Sequence, residues 1–425
     1  MKKTFIALIF FMLASPCVFA EKITAEMVEL QTLQNNPSIV QAKYDLDMAK
    51  QALYSSFSSF LPNISFLGTL AEQKGGFTFL GDKSYSYGLN AKMSLFSGFS
   101  EYNKTRSLSA KVKATQELYI RAVSNAVCDT HIAYVNLMYA YESKDLYKQI
   151  KDRRTENKDL VKLRYHSGNA DLGSLRRIEA DVKMTECELR KAQRAIETAS
   201  AALLVAIGRN DDITILETDE KIVIDKNIIS KPDFDNLIIK IPEFLAAKYN
   251  LDSERFNYWS QKGQWLPSVD FEGYIGRHRY SKYWDPETQP WQAALSLKYS
   301  LFSGGKRFFD MKNLAAQEKK AAEYFKNTKN SLKLKAVQHY NNWVNDYELL
   351  DAFKFYLESC KLQADIAKRK YMNGLVSYED WYAIEDNYII SQKNILIYRE
   401  RAISDKITWA KFLGKVSMKD KEVNK

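Results

Sequence analysis

Leu61-Pro62-Asn63-Ile64-Ser65-Phe66 returns as Leu266-Pro267-Ser268-Val269-Asp270-Phe271, and Leu95-Phe96-Ser97-Gly98 returns as Leu301-Phe302-Ser303-Gly304. The offset is 205 residues for the first pair and 206 for the second. Working outward at the same offset, Tyr165-x-x-Gly168 matches Tyr371-x-x-Gly374, and Ala206-Ile207-Gly208-Arg209 matches Phe412-Leu413-Gly414-Lys415. Near each start, Pro37 with Lys43-Tyr44-x-Leu46-Asp47 matches Pro242 with Lys248-Tyr249-x-Leu251-Asp252. Blocks in one order at one offset establish a duplication. The period is too long for a solenoid, so the chain holds two copies of one large unit. The boundaries drawn from this are 21–208 and 237–415 for the copies, 209–236 for a connector and 416–425 for a polar tail.

Each copy reads as the same series of elements. Asn36-Pro37 has the form of an N-cap followed by Pro at the first helical position, and a helix is expected to about Ser59. A hairpin follows, then a very long helix, then a helix closed by Gly208 or Gly414, the residue type that adopts the left-handed C-cap. Polarity in the hairpins alternates with period two. Tyr85, Tyr87, Leu89, Ala91, Met93 and Leu95 fall on one face; Ser84, Ser86, Gly88, Asn90, Lys92 and Ser94 fall on the other. The second copy sets Trp291, Ala293, Leu295, Leu297, Tyr299 and Leu301 against Gln292, Ala294, Ser296, Lys298 and Ser300. The partner strands carry Ile64, Phe66, Gly68 and Leu70, and Val269, Phe271, Gly273 and Ile275. Strands of about 10–12 residues with one apolar face have the length that crosses a bilayer when tilted. Tyr85, Tyr87, Trp284, Trp291 and Tyr299 suit the membrane interfaces. A soluble sheet packed on helices would show the same alternation.

The long helices are expected from about Phe99 to His166 and from about Lys306 to Met372, without Pro or internal Gly. At 1.5 Å per residue, about 67 residues span roughly 100 Å. Val112, Tyr119, Ala126, Ala133, Ala140 and Tyr147 stand seven apart, as do Ala336, Trp343, Leu350, Leu357, Ala364 and Tyr371. Leu118, Ile132, Tyr139 and Leu146 widen the stripe, so each helix should pack against two neighbours as in coiled coils. An elongated coiled coil alone would explain these helices but not the hairpins.

Composition narrows the function classes. The chain has 425 residues, 46% hydrophobic and 27% charged, which excludes a disordered protein. Sixteen Gly and eight Pro are too few for an all-β protein of many short turns. The net charge of +10 is interleaved with acids along helices, so a nucleic-acid partner is not expected. No stretch is apolar enough for a transmembrane helix. Lys2 and Lys3, the apolar run Phe5 to Leu13, and Val18-Phe19-Ala20 read as a signal peptide over 1–20, cut after Ala20. Pro16 before Cys17 argues against lipoprotein processing. His131, His166, His278 and His339 lack ligand spacing, and Gly304-Gly305-Lys306-Arg307 is a strand-to-helix junction, not a phosphate loop. No enzyme activity, metal or cofactor is therefore expected. Cys128, Cys187 and Cys360 are expected as free, mostly buried thiols.

Four membrane-length strands cannot close a barrel, for which about eight is the practical minimum. Open strand edges in lipid leave N–H and C=O groups unpaired, each costing several kcal/mol. The chain must therefore share its barrel, and three chains would supply twelve strands. A diffusion porin would carry all its strands in one chain.

The duplicated hairpin and long helix, the Leu-Phe-Ser-Gly boxes and the Tyr-x-x-Gly turns resemble the TolC-like outer-membrane efflux and secretion channels, over nearly all of residues 24–415. The resemblance implies a mainly α fold with membrane β: a homotrimer with a 12-stranded barrel in the outer-membrane lipid, continued by a periplasmic α-barrel. It implies a passive exit duct that meets a periplasmic adaptor and an inner-membrane transporter. The alternative from the residues alone is a structural periplasmic coiled coil without channel activity.

The resemblance also places the adaptor-docking tip at the helix–helix turns. Tyr371, Gly374, Leu375, Val376 and Ser377, followed by Tyr378-x-Asp380, closely match the family's tip motif. Gly permits the reversal and Ser377 can cap the next helix. The first turn, with Tyr165, Gly168, Asn169, Ala170 and Asp171, departs from it, having Asn169 at an apolar position and Ser174 at an acidic one. Asp380 matches the family's first acidic entrance position and Ala383 occupies the second, which implies one ring of carboxylates at the gate; a solvated surface role for Asp380 and a purely structural corner for both turns stay open.

Overall fold

The computed structural model describes residues 21–72, 83–209, 215–218, 220, 230–280 and 291–415. The expected signal peptide, the polar tail, Trp284 and part of the connector lie outside the described residues. The first copy comprises β1 (Glu21–Lys22), α1 (Ala25–Asn35), α2 (Pro37–Phe57), β2 (Asn63–Glu72), β3 (Lys83–Phe96), α3 (Ser100–His166) and α4 (Leu172–Ile207). Within the connector lie β4 (Leu216–Glu217) and the start of α5 (Phe234–Ile238). The second copy comprises α6 (Pro242–Gly263), β5 (Ser268–Tyr280), β6 (Trp291–Lys298), α7 (Lys306–Met372) and α8 (Tyr378–Phe412). Both α3 and α7 have 67 residues, in register with the duplication.

The four long strands form one antiparallel sheet in the order β2-β3-β5-β6. Its register carries the alternation across all four. Phe66 faces Leu89, Leu89 faces Ile275, and Ile275 faces Trp291. On the other face Asn90 meets Tyr274, Lys92 meets Glu272, and Asp270 meets Ser296. The apolar face is not covered by helices: Phe66, Leu70, Leu295 and Leu297 are each about 70% exposed. A soluble sheet packed on helices would bury that face, so this alternative fails.

The core lies instead where α3 turns past the small parallel β1–β4 pair. Leu137, Leu203, Ile207, Ile23 and Leu216 are fully buried together. The buried Tyr134 hydroxyl ties α3 to this pair through Thr218 Oγ1 at 2.7 Å and Glu220 Oε2 at 2.9 Å. Leu216 of the connector thus completes this part of the core. Cys128 and Cys360 are buried and free as expected, whereas the free Cys187 is exposed on α4.

One glycine shows how the copies meet. Gly98 has φ +65°, and a Cβ there would lie 2.0 Å from Gly263 O. The start of α3 therefore sits against the end of α6 at backbone distance. Its counterpart Gly304 has φ +61° but no neighbour within 4 Å. Leu301 and Phe302 beside it are more than 85% exposed. The glycine of the motif is covered in the first copy and open in the second.

Candidate functional site

The α3–α4 and α7–α8 turns lie together at the end of the molecule opposite the sheet. In each, a Gly follows the helix in the left-handed conformation, φ +75° at Gly168 and +73° at Gly374. Asn169 N donates to Arg164 O at 2.8 Å and Leu375 N donates to Lys370 O at 2.9 Å, closing both helices by the same Schellman pattern. No atom lies within 4 Å of a Cβ built on Gly168, and only an Arg164 nitrogen, at 3.9 Å, approaches one on Gly374. The glycines serve backbone conformation, not close packing.

The caps of the following helices exchange the same two residue types. In the second turn Asp380 N donates to Ser377 Oγ at 3.1 Å, and Ser377 Oγ–H donates to Asp380 Oδ2 at 2.7 Å. In the first turn Ser174 N donates to Asp171 Oδ1 at 2.9 Å, and Ser174 Oγ–H donates to Asp171 Oδ2 at 2.6 Å. The acid missing at position 174 stands at the cap instead. These hydrogen bonds hold the Asp171 carboxyl below the usual range.

Beneath the turns is an aromatic bed. Tyr371 stacks on Trp381 at 4.5 Å and 3°, and Tyr378 packs edge-on to both. Val161, Leu175, Ile178 and Ala367 complete it. Tyr371 is 2% exposed, so within the protomer it supports the turn from inside, and Val376 packs partly against the same bed. Tyr165 and Ala170 are half-buried. Gly168, Asn169, Asp171, Gly374, Ser377, Asp380 and above all Leu375, at 72%, are exposed. Two arginines join the turns. Arg164 donates to Tyr371 O, a terminal carbonyl of α7, and lies over the Tyr371 ring at 4.5 Å. Arg177 pairs with Glu379 at 3.1 Å and lies 4.0 Å over the Tyr382 ring.

Farther from the tip, a buried polar layer fastens the two helix pairs. Arg153 holds both carboxylate oxygens of Glu385, with Nη2 2.9 Å from Oε2, and Asn157 Nδ2 donates to Oε1 at 3.0 Å. Arg154 bridges Asp386 at 2.5 Å and Asp181 at 3.3 Å, and the Tyr382 hydroxyl donates to Asp181 at 2.8 Å. Glu385, Asn157 and Arg154 are each more than 90% buried. Sequence reasoning missed this layer because it followed apolar residues only. Ile150, Arg154, Asn157 and Val161 keep the alternating four-and-three spacing of a helix seam, and charge at seam positions was the available signal.

The profile of the outer membrane efflux protein family matches residues 30–209 and 235–415, one span for each copy. The chain belongs to that family. Its fold is that of solved outer-membrane channels. It is similar to CusC, with TM-score 0.83 and 15% identity over 93% of each chain. It is similar to VceC of Vibrio cholerae, with TM-score 0.80 and 17% identity over 92% of this chain and 97% of that one. It is also similar to CmeC of Campylobacter jejuni, with TM-score 0.79 and 17% identity over 94% and 87%. No curated protein sequence shows significant similarity. In this outer membrane efflux family member, no described helix is long and apolar enough to cross a membrane.

Proposed function

We propose that the chain acts as a homotrimeric exit duct. Three sheets close a 12-stranded barrel in the outer membrane, and the helices form a tunnel across the periplasm to an adaptor and an inner-membrane transporter. The observation that carries this reading is the mismatch between the copies. By the duplication, β6 is the counterpart of β3, and β2 the counterpart of β5. Within the chain β3 pairs with β5, while β6 and β2 are the two free edges. Pairing β6 with β2 of the next protomer repeats the internal interface and covers Gly304, Leu301 and Phe302 as Gly98 is covered. Lipid does not tolerate the edges left open. Transferring the Leu89–Ile275 register by the duplication offset places Leu295 opposite Leu70 of the next chain.

The exposed turn residues, led by Leu375 with Gly168, Asn169, Asp171, Gly374 and Ser377, form the adaptor surface. Tyr165, Ala170, Val376 and the buried Tyr371 shape it from below. Three copies of Asp380 set a carboxylate ring at the entrance. A coiled coil without channel activity would not need an uncovered apolar sheet face.

The test is a Leu70→Cys, Leu295→Cys double variant in the membrane. Directly opposed residues on neighbouring strands lie about 4.5–5.5 Å apart, within disulfide reach. Oxidation should give covalent trimers, with neither single variant doing so. Monomeric protein after oxidation of the double variant would overturn the assembly.

A further inference from the structure

Where the sheet gives way to the helices, the end of α6 and the starts of α3 and α7 enclose an apolar groove of about 520 Å³. Phe99, Trp259, Trp265, Leu266 and Met311 line it, and Lys262 is its one charged side chain. The packing of the two copies makes the groove. Small residues join α3 to α6, with Ser100 Oγ 3.1 Å from Ser260 Oγ and Ser107 Oγ 2.9 Å from Ser253 Oγ. At the end of that seam Gly98 and Gly263 meet at backbone distance: a Cβ on Gly263 would lie 2.3 Å from Gly98 O. Two facing glycines leave that corner without side chains of its own. Around it Phe99, Trp259, Trp265 and Leu266 are each more than 40% exposed. Lys262 lies 4.6 Å over the Trp259 ring and has no carboxylate partner among the described residues.

The next protomer does not cover this surface. All three walls come from one chain, with α6 between α3 and α7. By the duplication, α2 of the next protomer would meet α7 as α6 meets α3. In the first copy α6 takes that position, and the matching groove between α2 and α3, lined by Phe57, Phe60, Leu61 and Tyr102, stays open beside it. Height along the molecule says what does cover it. Leu266 stands two residues before β5 and Lys262 six, so the groove begins where the apolar sheet face ends. On the proposed reading, on which this inference rests, the sheet stands in the outer membrane and the helices in the periplasm. The groove then faces the headgroup layer of the periplasmic leaflet, the level at which Trp and Lys side chains collect. An apolar groove with one unmatched ammonium at its rim is complementary to a lipid that carries a negative phosphate above an acyl chain.

We propose that the groove binds an anionic phospholipid of the periplasmic leaflet, with one acyl chain along Phe99, Trp265, Leu266 and Met311 and its phosphate at Lys262. Bound there, it seals the joint between the two copies at the foot of the sheet.

The experiment is native mass spectrometry of the detergent-solubilised full protein, titrated with phosphatidylglycerol or with phosphatidylcholine. Saturable binding is expected, tighter for phosphatidylglycerol. Lys262→Gln should weaken phosphatidylglycerol by about tenfold, to the level of phosphatidylcholine, since a charge-assisted contact is lost. Met311→Trp, which fills the groove, should weaken both lipids. Lys329→Gln, an exposed change farther along α7, should alter neither. Equal phosphatidylglycerol affinity in wild type and Lys262→Gln would overturn the headgroup assignment, and equal affinity in wild type and Met311→Trp would overturn the groove as the site. Binding that does not saturate, or that is equal for the two lipids in wild type, marks a general lipid surface and overturns the proposal as a whole. Because the walls belong to one chain, binding is counted per chain. A monomeric wild type in the same spectra would count against the trimer and leave this site standing.

Discussion

Replacing Glu385 by Ala should loosen the fastening between the helix pairs far more than any exposed tip change. Glu385 is 1% exposed and accepts from Arg153 and Asn157. Removing one member of a buried pair leaves an uncompensated charge and typically costs about 3–5 kcal/mol. Arg153 keeps Asp365 at 3.8 Å and is 23% exposed. That places the cost at the low end, about 3 kcal/mol. The exposed Glu379–Arg177 pair, with side chains 70% and 50% accessible, is the comparison. Its loss should cost far less, because solvent screens an exposed pair. Native-state hydrogen exchange reads the difference locally. At 1.4 kcal/mol per tenfold, Glu385→Ala should lower protection of the α8 amides around Trp381–Ile389 by about 100-fold, against less than about 10-fold for Glu379→Ala. An Arg153→Met, Glu385→Leu double variant should recover most of the loss, because well-packed apolar pairs can replace buried ion pairs. Equal exchange in the Glu385 and Glu379 variants, or a double variant worse than Glu385→Ala, would refute the reasoning.

A Leu375→Asp variant should abolish export while the trimer remains in the membrane, because Leu375 is 72% exposed and sits clear of the aromatic bed against which Val376 packs; normal export at normal expression would exclude docking there. Acidification should stabilise the α7–α8 pair. Burial and the facing Asp346 carboxyl push Asp405 up to about 6, so its contribution is full below the ordinary carboxylate range and is lost as pH rises through about 6. Melting temperatures at about pH 5 and pH 7.5 should therefore differ less in Asp405→Asn than in wild type, and an unchanged difference would remove Asp405 as the cause.

The features legible in the sequence are those set by periodicity. Alternation over residues 85–93 and 291–297 assigned the faces that the register shows, whereas a bulge at Leu95 and the end of β6 at Lys298 leave Leu95, Tyr299 and Leu301 outside the ladder. Gly168 and Gly374 marked the reversals because φ is positive there whatever surrounds them. Tertiary chemistry was not legible. Arg164 reaches the end of α7 across the turn, and nothing local to residue 164 announces it. Nothing local to Glu385 announces its burial, which depends on α3 lying against α8. Asp171 was read only as part of a divergent turn, since the exchange of Ser and Asp between cap and third position becomes visible once both helix starts are known.

The duplication gives this protein an internal reference that a single-copy fold lacks. Where both copies keep a residue pattern and a geometry, as at Gly168 and Gly374, the cause is shared backbone conformation. Where they keep the pattern but not the surroundings, as at Gly98 and Gly304, the proposed trimer supplies the missing neighbour from the next protomer, through the free edges of β2 and β6. Where the pattern itself changes, as from Asn36 to Ile241, the first copy caps its helix with a side chain and the second begins its helix without one. These differences separate fold from assembly within one chain. They point to different experiments: backbone substitution at the turns and cross-linking at the strand edges.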